Sequence, residues 1–275
     1  MSDREGPTVV AVVGPTATGK SDLGLALAER LDGEVVNADA MQLYRGMDIG
    51  TAKLPPAQRR GVVHHQLDVL DVREEASVAA YQRHSRADIA AIHARGHIAV
   101  LVGGSGLYLR AALDRLEIPP TDPAVRARLD AALEVVEITG RPFSATMPTR
   151  EHLLPTVLLG LGADRPVLDE RIDGRVRRMW QAGLVDEVRS LVPQGLRDGR
   201  TASKALGYRQ ALAQVDGTMT AEAAQLDTAT ATRRYARRQE SWFRADPRVV
   251  WLPHDAPDLL DQALAAVAAA GRMPA

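Results

Sequence analysis

The feature that most constrains the fold is an apolar run that leads directly into a glycine-rich loop. Residues 9–13 read Val-Val-Ala-Val-Val, and residues 14–21 read Gly-Pro-Thr-Ala-Thr-Gly-Lys-Ser. This is the G-x-x-x-x-G-K-[ST] pattern of a phosphate-binding loop that joins a buried strand to a helix. Backbone N–H groups, the Lys20 ammonium and the positive end of the helix would surround a phosphate, while the Ser21 hydroxyl would face a divalent metal. The predicted phosphate contacts are Gly14, Pro15, Thr16, Ala17, Thr18, Gly19, Lys20 and Ser21.

Strand-like and helix-like patterns alternate along the chain. Apolar, β-branched runs predict strands at residues 8–13, 34–37, 98–102, 156–161 and 249–252. Amphipathic patterns predict helices at residues 22–31, 77–95, 168–191, 221–243 and 259–270. The alternation predicts an α/β P-loop fold of three layers, with helices on both faces of a parallel sheet. Because ligands bind beyond the carboxyl ends of such strands, the loops at residues 14–21, 38–44 and 103–108 should meet at one crevice.

Composition narrows the cellular setting and the domain organisation. Of the 275 residues, 45% are hydrophobic and 25% are charged, as is typical of a soluble globular protein, and the absence of cysteine excludes disulfides and thiolate chemistry. The charged first residues and the lack of a long apolar run lead us to expect a cytoplasmic protein without membrane contact. We also expect a monomer, although none of these features bears on oligomeric state. We expect residues 1–112 to form the first part of the core and residues 113–152 a small helical insert. Residues 153–275 would complete the core and carry a basic helix.

Arginine and lysine are distributed unevenly. The net charge is −1, yet five arginines lie between residues 228 and 246, namely Arg233, Arg234, Arg237, Arg238 and Arg244. With the interleaved Tyr235, Trp242 and Phe243, this helix suits RNA, although a solvated face with core aromatics fits as well. For Tyr235 and Trp242 we expect core packing. The chain has three lysines, Lys20, Lys53 and Lys204, and replacement of lysine by arginine in a GC-rich genome explains their rarity. We expect a compact ammonium to be required at Lys20, and Lys53 and Lys204 are candidates for the same requirement.

Asp39 follows the second predicted strand, where its carboxylate would face the phosphate loop. Position alone leaves open whether it caps a helix or acts on a ligand. The strand at residues 98–102 ends in the turn Gly103–Gly106, which lacks the acid that nucleotide hydrolases place on Mg²⁺. Asp39 is therefore the best carboxylate available for metal or proton chemistry. His64 and His65 are adjacent in a strand and should point to opposite faces, so we expect local hydrogen bonds rather than a metal pair.

Together, these motifs resemble those of the tRNA dimethylallyltransferases, in the same order along nearly the whole chain. The resemblance is carried by residues 14–21, 37–44, 48–53, 102–108, 132–140, 207–209 and 232–244. Enzymes of this family transfer a dimethylallyl group from dimethylallyl diphosphate to the exocyclic N6 amine of the adenosine 3′ of the anticodon in tRNA. They release diphosphate, so the group held by the phosphate loop would be the one that departs.

The resemblance implies roles for individual residues. Asp39 would be the general base that takes a proton from the attacking amine, and Thr16 and Lys20 would be catalytic contacts. A Mg²⁺ ion held partly by Ser21 would stabilise the leaving diphosphate. The anticodon stem-loop would be bound by Asp39, Ala40, Met41, Gln42, Ser105, Arg126, Lys204, Gly207, Tyr208, Arg209, Arg233, Arg234 and Arg237.

The chain departs from the family in its insert. The family has a longer helical insert before the Ala-Leu-Glu-Val motif, which here stands at residues 132–135 directly after residues 126–130. A basic stretch that contacts tRNA is missing with it, whereas Arg126 is retained. The diphosphate site is unaffected, but three alternatives stay open: an adenylate isopentenyltransferase that uses a free nucleotide, a tRNA-binding protein with weakened activity, and a small-molecule kinase.

Overall fold

The computed structural model describes residues 9–116, 118 and 150–271, and these residues contain a six-stranded sheet. Its strands are β1 Val9–Val13, β2 Gly33–Asn37, β3 His64–His65, β4 Ile98–Val102, β5 Thr156–Gly162 and β6 Val249–Pro253. Neighbouring strands are all parallel, and their order is β3-β2-β4-β1-β5-β6. The predicted α/β class and its parallel sheet are confirmed.

The described residues also form eight α-helices. They are α1 Lys20–Arg30, α2 Val78–Ala94, α3 Gly106–Leu113, α4 Arg165–Gln181, α5 Leu184–Leu191, α6 Tyr208–Val215, α7 Ala221–Arg244 and α8 Leu259–Ala270. Short 3-10 segments lie at Pro56–Gln58, Val192–Gln194 and Ala202–Lys204. Within the described ranges, none of the helices combines the length and apolar character needed to cross a bilayer.

Alternate side chains of the central strand β1 face opposite layers, as expected for a strand buried on both sides. Val9, Ala11 and Val13 belong to one apolar cluster, which includes side chains of α2, α3 and α7. Val10 and Val12 belong to another, which includes side chains of α1 and α8. All five β1 residues are fully buried, so the three-layer arrangement follows from this alternation.

Helices α4, α5 and α6 form a third apolar cluster with the segment that follows β2. Tyr44 and Met47 of that segment are fully buried among residues such as Leu184 and Leu191 of α5. This cluster holds α4 beside the carboxyl ends of the strands. It supplies one wall of the crevice that the sequence predicts there.

Several details of the predicted secondary structure are corrected. The single helix predicted at residues 168–191 is two helices, α4 and α5, because the chain breaks at Gly183, which has φ of 96°. The loop predicted at residues 103–108 ends early, since α3 begins at Gly106. Strand β3 and helix α6 are elements that the apolar patterns did not predict. Each is short, and β3 has only 2 residues at the sheet edge.

The two ends of the segment predicted as an insert lie side by side. Asp114 forms an antiparallel bridge with His152, and the Arg115 backbone N–H donates to the Glu151 carbonyl oxygen at 2.8 Å. The buried Asp114 carboxylate accepts from Arg248 Nη1 at 2.7 Å, which ties this junction to the turn between α7 and β6. Residue 117 and residues 119–149, including Arg126, lie outside the described residues, so the proposed domain boundaries stay a prediction.

Candidate active site

The phosphate loop curls through residues with positive φ. Gly14 has φ of 132° and Gly19 has φ of 91°. A Cβ on Gly14 would lie 2.6 Å from the Leu161 carbonyl oxygen of β5, so a side chain is excluded there by contact as well as by conformation. Thr18 braces the loop from inside, because its hydroxyl donates to the Pro15 carbonyl oxygen at 2.9 Å.

Lys20 is the first residue of α1, and its Nζ donates to the Pro15 carbonyl oxygen at 2.5 Å. The pKa of Lys20 is lowered to about 7, chiefly by burial and also by the positive charge of Arg175, while the negative charge of Asp39 partly offsets these effects. A bound anion would favour the ammonium form. The site therefore couples the binding of a phosphate ester to protonation of this lysine.

Arg175 of α4 joins the phosphate loop to the segment that follows β2. Its Nη1 donates to Thr16 Oγ1 at 3.1 Å, and its Nη2 donates to the Thr51 carbonyl oxygen at 3.2 Å. Burial lowers the pKa of Arg175, and the negative charge of Asp39 partly offsets this. One turn earlier, Arg171 Nε donates to the Ala17 carbonyl oxygen at 2.7 Å. Helix α4 thus adds two guanidinium groups to the cationic side of the loop.

Gln239 of α7 fixes the phosphate loop against the turn after β4. Its side-chain oxygen accepts from the Thr16 backbone N–H at 2.9 Å, and its amide nitrogen donates to the Gly104 carbonyl oxygen at 2.9 Å. Gln239 is buried, and a Cβ on Gly104 would lie 2.1 Å from its Nε2. A side chain at residue 104 would therefore displace the Gln239 amide from its place against this turn.

Asp39 both caps a turn and faces the crevice. Its Oδ1 accepts from the Met41 backbone N–H at 2.9 Å, and Oδ2 has no hydrogen-bond partner among the described residues. The buried Asn37 holds the main chain of Asp39 from both sides, since Oδ1 of Asn37 accepts from the Asp39 N–H and Nδ2 donates to the Asp39 carbonyl oxygen, each at 2.9 Å. Asp39 can therefore cap this turn with Oδ1 and act on a ligand with Oδ2.

Two cavities meet at Asp39. The larger, of about 680 Å³, is lined by the phosphate loop, including Lys20 and Ser21. The smaller, of about 360 Å³, is lined by residues such as Met41, Ser105 and Leu206. The residues that border both cavities are Thr16, Asp39, Thr51, Arg175 and Tyr235. The three loops thus converge as predicted, and they divide the crevice into a phosphate side and a more apolar side.

Six of the thirteen predicted tRNA contacts line the walls of these two cavities. Those that line a cavity wall are Asp39, Ala40, Met41, Gln42, Ser105 and Lys204. Arg234 and Arg237 are exposed on α7. Arg209 is also exposed, where it pairs with Asp227 of α7 at 3.3 Å.

Other predicted tRNA contacts have partners inside the protein. Tyr208 is fully buried beside the buried Gly207, and its hydroxyl donates to Glu187 Oε1 at 2.6 Å. The Arg233 guanidinium donates to the carboxylate of Asp173 on α4. Tyr208 is therefore not available to a surface ligand, and Arg233 links α4 to α7. The sequence pattern marked these positions without distinguishing a surface role from an internal one.

The expectation of core packing for Tyr235 and Trp242 is wrong. Tyr235 borders both cavities, where burial and the negative charge of Asp39 raise the pKa of its hydroxyl. Trp242 is 45% exposed, and the guanidinium of Arg110 lies 5.6 Å from its ring centre. Helix α7 turns these aromatics toward the crevice and the surface because Phe243, not Trp242, takes the core position.

The remaining lysine and histidine predictions agree with the structure. Lys53 is buried, and its Nζ donates to the Tyr44 carbonyl oxygen at 2.7 Å and to Asp48 and Asp68 at 2.7 and 2.5 Å. A planar guanidinium does not match three such acceptors around one nitrogen. The ring of His64 bonds with the Val62 carbonyl and that of His65 with Glu34, at 2.9 and 2.7 Å, which are the local hydrogen bonds expected.

Sequence reasoning did not single out Arg171, Arg175 or Gln239. The two arginines lie in a helix with many others, and no spacing marks them. Gln239 follows Tyr235 by four residues and therefore lies on the same face of α7, which was a usable signal. The phosphate site thus depends on two helices that are distant in sequence from the loop.

Comparison with known proteins gives consistent matches. A family model described as IPP transferase matches residues 42–133 and 126–246. The chain is 57% identical to the tRNA dimethylallyltransferase of Thermobifida fusca over 94% of both chains, and 56% identical to that of Streptomyces avermitilis over 93% of both. The crystal structure of the full-length tRNA isopentenylpyrophosphate transferase from Bacillus halodurans matches with a TM-score of 0.79 and 34% identity, over 96% of both chains.

A eukaryotic dimethylallyltransferase acting on tRNA matches with a TM-score of 0.81 and 25% identity, over 94% of this chain and 77% of that chain. The two ranges of the family model overlap at residues 126–133, where the sequence predicts that part of the insert is missing. The alignment with the Thermobifida fusca protein also spans 300 residues, although this chain has 275, so the relative has residues without a counterpart here. By the family model and by its identity to these relatives, the chain belongs to the IPP transferase family of tRNA dimethylallyltransferases.

Proposed function

We propose that the protein transfers a dimethylallyl group from dimethylallyl diphosphate to the N6 amine of the adenosine 3′ of the anticodon in tRNA. The observation that carries this proposal is the position of Asp39 between two cavities. One cavity has the phosphate loop in its wall, and the other has an apolar wall suited to an aromatic base. In the transfer, the amine nitrogen bonds to C1 of the dimethylallyl group, the C1–O bond breaks, and the departing diphosphate keeps the electron pair.

The phosphate side supports departure of the diphosphate. Negative charge that gathers on the leaving oxygen would meet the loop amides, the Lys20 ammonium and the Arg175 guanidinium. The Thr16 hydroxyl, already bound by Arg175, borders the place where the two cavities join. Arg175 is held by Thr16 and Thr51 before the substrate enters, so little reorganisation of this guanidinium opposes the reaction.

The acceptor side supports attack by an amine that must lose a proton. Asp39 Oδ2, which has no partner within the described part of the chain, can accept that proton, while Oδ1 stays bound to the Met41 N–H and keeps the carboxylate oriented. The Tyr235 ring and the side chain of Met41 offer surfaces on which an unstacked adenine can lie. Lys204 and Arg238, which line the same cavity, would meet tRNA phosphates.

The residues present also fit a Mg²⁺ ion. Ser21 is exposed at the larger cavity next to Lys20 and supplies a hard oxygen ligand. No group of three or more His, Cys, Asp or Glu side chains among the described residues could hold a metal, and Mg²⁺ does not require one. It is commonly held by one or two protein oxygens, water and substrate phosphates. When bound, the ion would neutralise charge on the diphosphate.

A transfer assay tests this function. The chain is incubated with unmodified tRNA and dimethylallyl diphosphate, and the nucleosides are analysed by mass spectrometry. We expect one C5H8 unit on the adenosine 3′ of the anticodon, and no adduct at any enzyme concentration would refute the proposal. Equimolar AMP is added as a competing acceptor, and preferential modification of AMP would favour the free-nucleotide alternative. Since Asp39 and both cavities belong to one chain, and tRNA is a cytoplasmic substrate, we further propose that a monomer acts in the cytoplasm.

A further inference from the structure

Glu187 of α5 binds a segment of the crevice wall through consecutive backbone amides. Its Oε2 accepts from the N–H groups of Asp48 and Ile49 at 3.1 and 2.8 Å, and its Oε1 lies 3.5 Å from the N–H of Gly50. The Tyr208 hydroxyl donates to the same Oε1 at 2.6 Å. One carboxylate therefore gathers donors from the segment at residues 48–50 and from α6.

The contact between Tyr208 and this segment is close. Tyr208 is fully buried, and a Cβ on Gly50 would lie 2.4 Å from its ring. Burial and the negative charge of Glu187 raise the pKa of Tyr208 far above its usual range, so the hydroxyl stays protonated and donates at every working pH. Residue 50 must be glycine for the backbone to approach the phenol. The sequence motif around Tyr208 implies a tRNA contact, whereas in the structure Tyr208 packs against Gly50 and donates to Glu187 inside the protein.

The segment leads directly to the reaction site. Thr51 follows Gly50, and its carbonyl oxygen accepts from Arg175 Nη2, whose Nη1 in turn binds Thr16 Oγ1. The same carbonyl accepts from Gln42 Nε2 at 3.2 Å. A shift of the backbone at residues 48–50 would move the Thr51 carbonyl, and with it the guanidinium that faces the diphosphate.

A separate anchor holds the far side of the segment. Lys53 binds Tyr44, Asp48 and Asp68 without involving Glu187. Loss of the Glu187 contacts would therefore loosen residues 48–51 while the segment stays attached to the fold. Because Lys53 would still hold the segment when Glu187 is replaced, the effect of Glu187 on the diphosphate site can be measured in a folded protein.

We propose that Glu187 and Tyr208 are positioning residues for prenyl transfer, which hold residues 48–51 so that the Thr51 carbonyl keeps Arg175 against Thr16 in the diphosphate site. This role rests on the proposed function. Neither residue touches the reacting atoms, and both act through Arg175. If Glu187 and Tyr208 only stabilised the fold, their replacement would lower stability, and its effect on diphosphate binding would not depend on Arg175.

The test compares Glu187→Ala, Glu187→Gln, Tyr208→Phe and a matched control, Asp186→Ala. Asp186 is the preceding residue on α5, is exposed and pairs with Arg189 at the surface. Binding of inorganic diphosphate is measured by calorimetry, and transfer to tRNA is measured in parallel. We expect Glu187→Ala to weaken diphosphate binding and to lower kcat/KM about 10- to 100-fold, as for other groups that orient a direct ligand. In Glu187→Gln, the amide oxygen can still accept from residues 48 and 49, so most of the loss should be restored.

The decisive comparison uses Arg175→Met. If Glu187 acts through Arg175, Glu187→Ala should cause little further loss of diphosphate affinity in the Arg175→Met background. Equal losses in both backgrounds, or wild-type diphosphate affinity in Glu187→Ala, would overturn the proposal. If Glu187→Ala does not fold, as judged by thermal unfolding, Tyr208→Phe is used in the same cycle. Wild-type protein that binds diphosphate but modifies no tRNA would refute the proposed function and leave this test valid.

Discussion

Lys20 links diphosphate binding to pH in a way that can be quantified. The free site holds its pKa at about 7, so about nine-tenths of Lys20 is neutral at pH 8 and about one-tenth at pH 6. A bound diphosphate favours the ammonium and should raise this pKa toward the ordinary value of lysine. Binding of dimethylallyl diphosphate should therefore take up about 0.9 proton at pH 8 and about 0.1 proton at pH 6.

Calorimetry without tRNA measures this proton uptake. The binding enthalpy is determined in two buffers of different ionisation enthalpy, and its slope gives the number of protons taken up. The control is Lys20→Arg, because a guanidinium is charged at both pH values; the uptake that Lys20 contributes should be absent, which leaves only the proton exchange of the diphosphate itself. Equal uptake at pH 6 and pH 8, or unchanged uptake in Lys20→Arg, would refute the reasoning.

Three further predictions concern the support of the site and its surface. Gln239→Leu would leave the Thr16 N–H and the Gly104 carbonyl without their partner, and should lower the free energy of unfolding by about 2–4 kcal/mol in urea denaturation. Gly104→Ala should lower the rate of dimethylallyl transfer, because the new Cβ displaces the Gln239 amide. Transfer with wild-type kinetics in this variant would contradict the packing described. Arg237→Ala should reduce the salt dependence of anticodon stem-loop binding by about one unit of slope, whereas Arg233→Ala should chiefly destabilise the fold.

The fold could be predicted largely because its signals are local. The alternation of Val9 to Val13 and the pattern at residues 14–21 identify a strand, a loop and a helix from neighbouring residues alone. The break at Gly183 was missed because the apolar period continues on both sides of it. Strand β3 was missed because two residues are too few to show a period.

The candidate site could be predicted only in part. Asp39 and Lys20 lie in loops whose sequence carries their chemistry. Arg175 and Glu187, in contrast, act through contacts with residues more than a hundred positions away, and no local pattern reports such contacts. Tyr208 shows the converse case, since a recognisable motif marked its importance but not whether it faces solvent or the core.

The central claim is that Asp39 accepts the proton of the attacking amine while the phosphate loop holds the departing diphosphate. The direct test is the single-turnover rate of dimethylallyl transfer to tRNA in Asp39→Asn, a variant that keeps an oxygen for the Met41 N–H but is a poor base. We expect a rate about 10²- to 10⁴-fold below wild type at saturating dimethylallyl diphosphate. Transfer at the wild-type rate would contradict it.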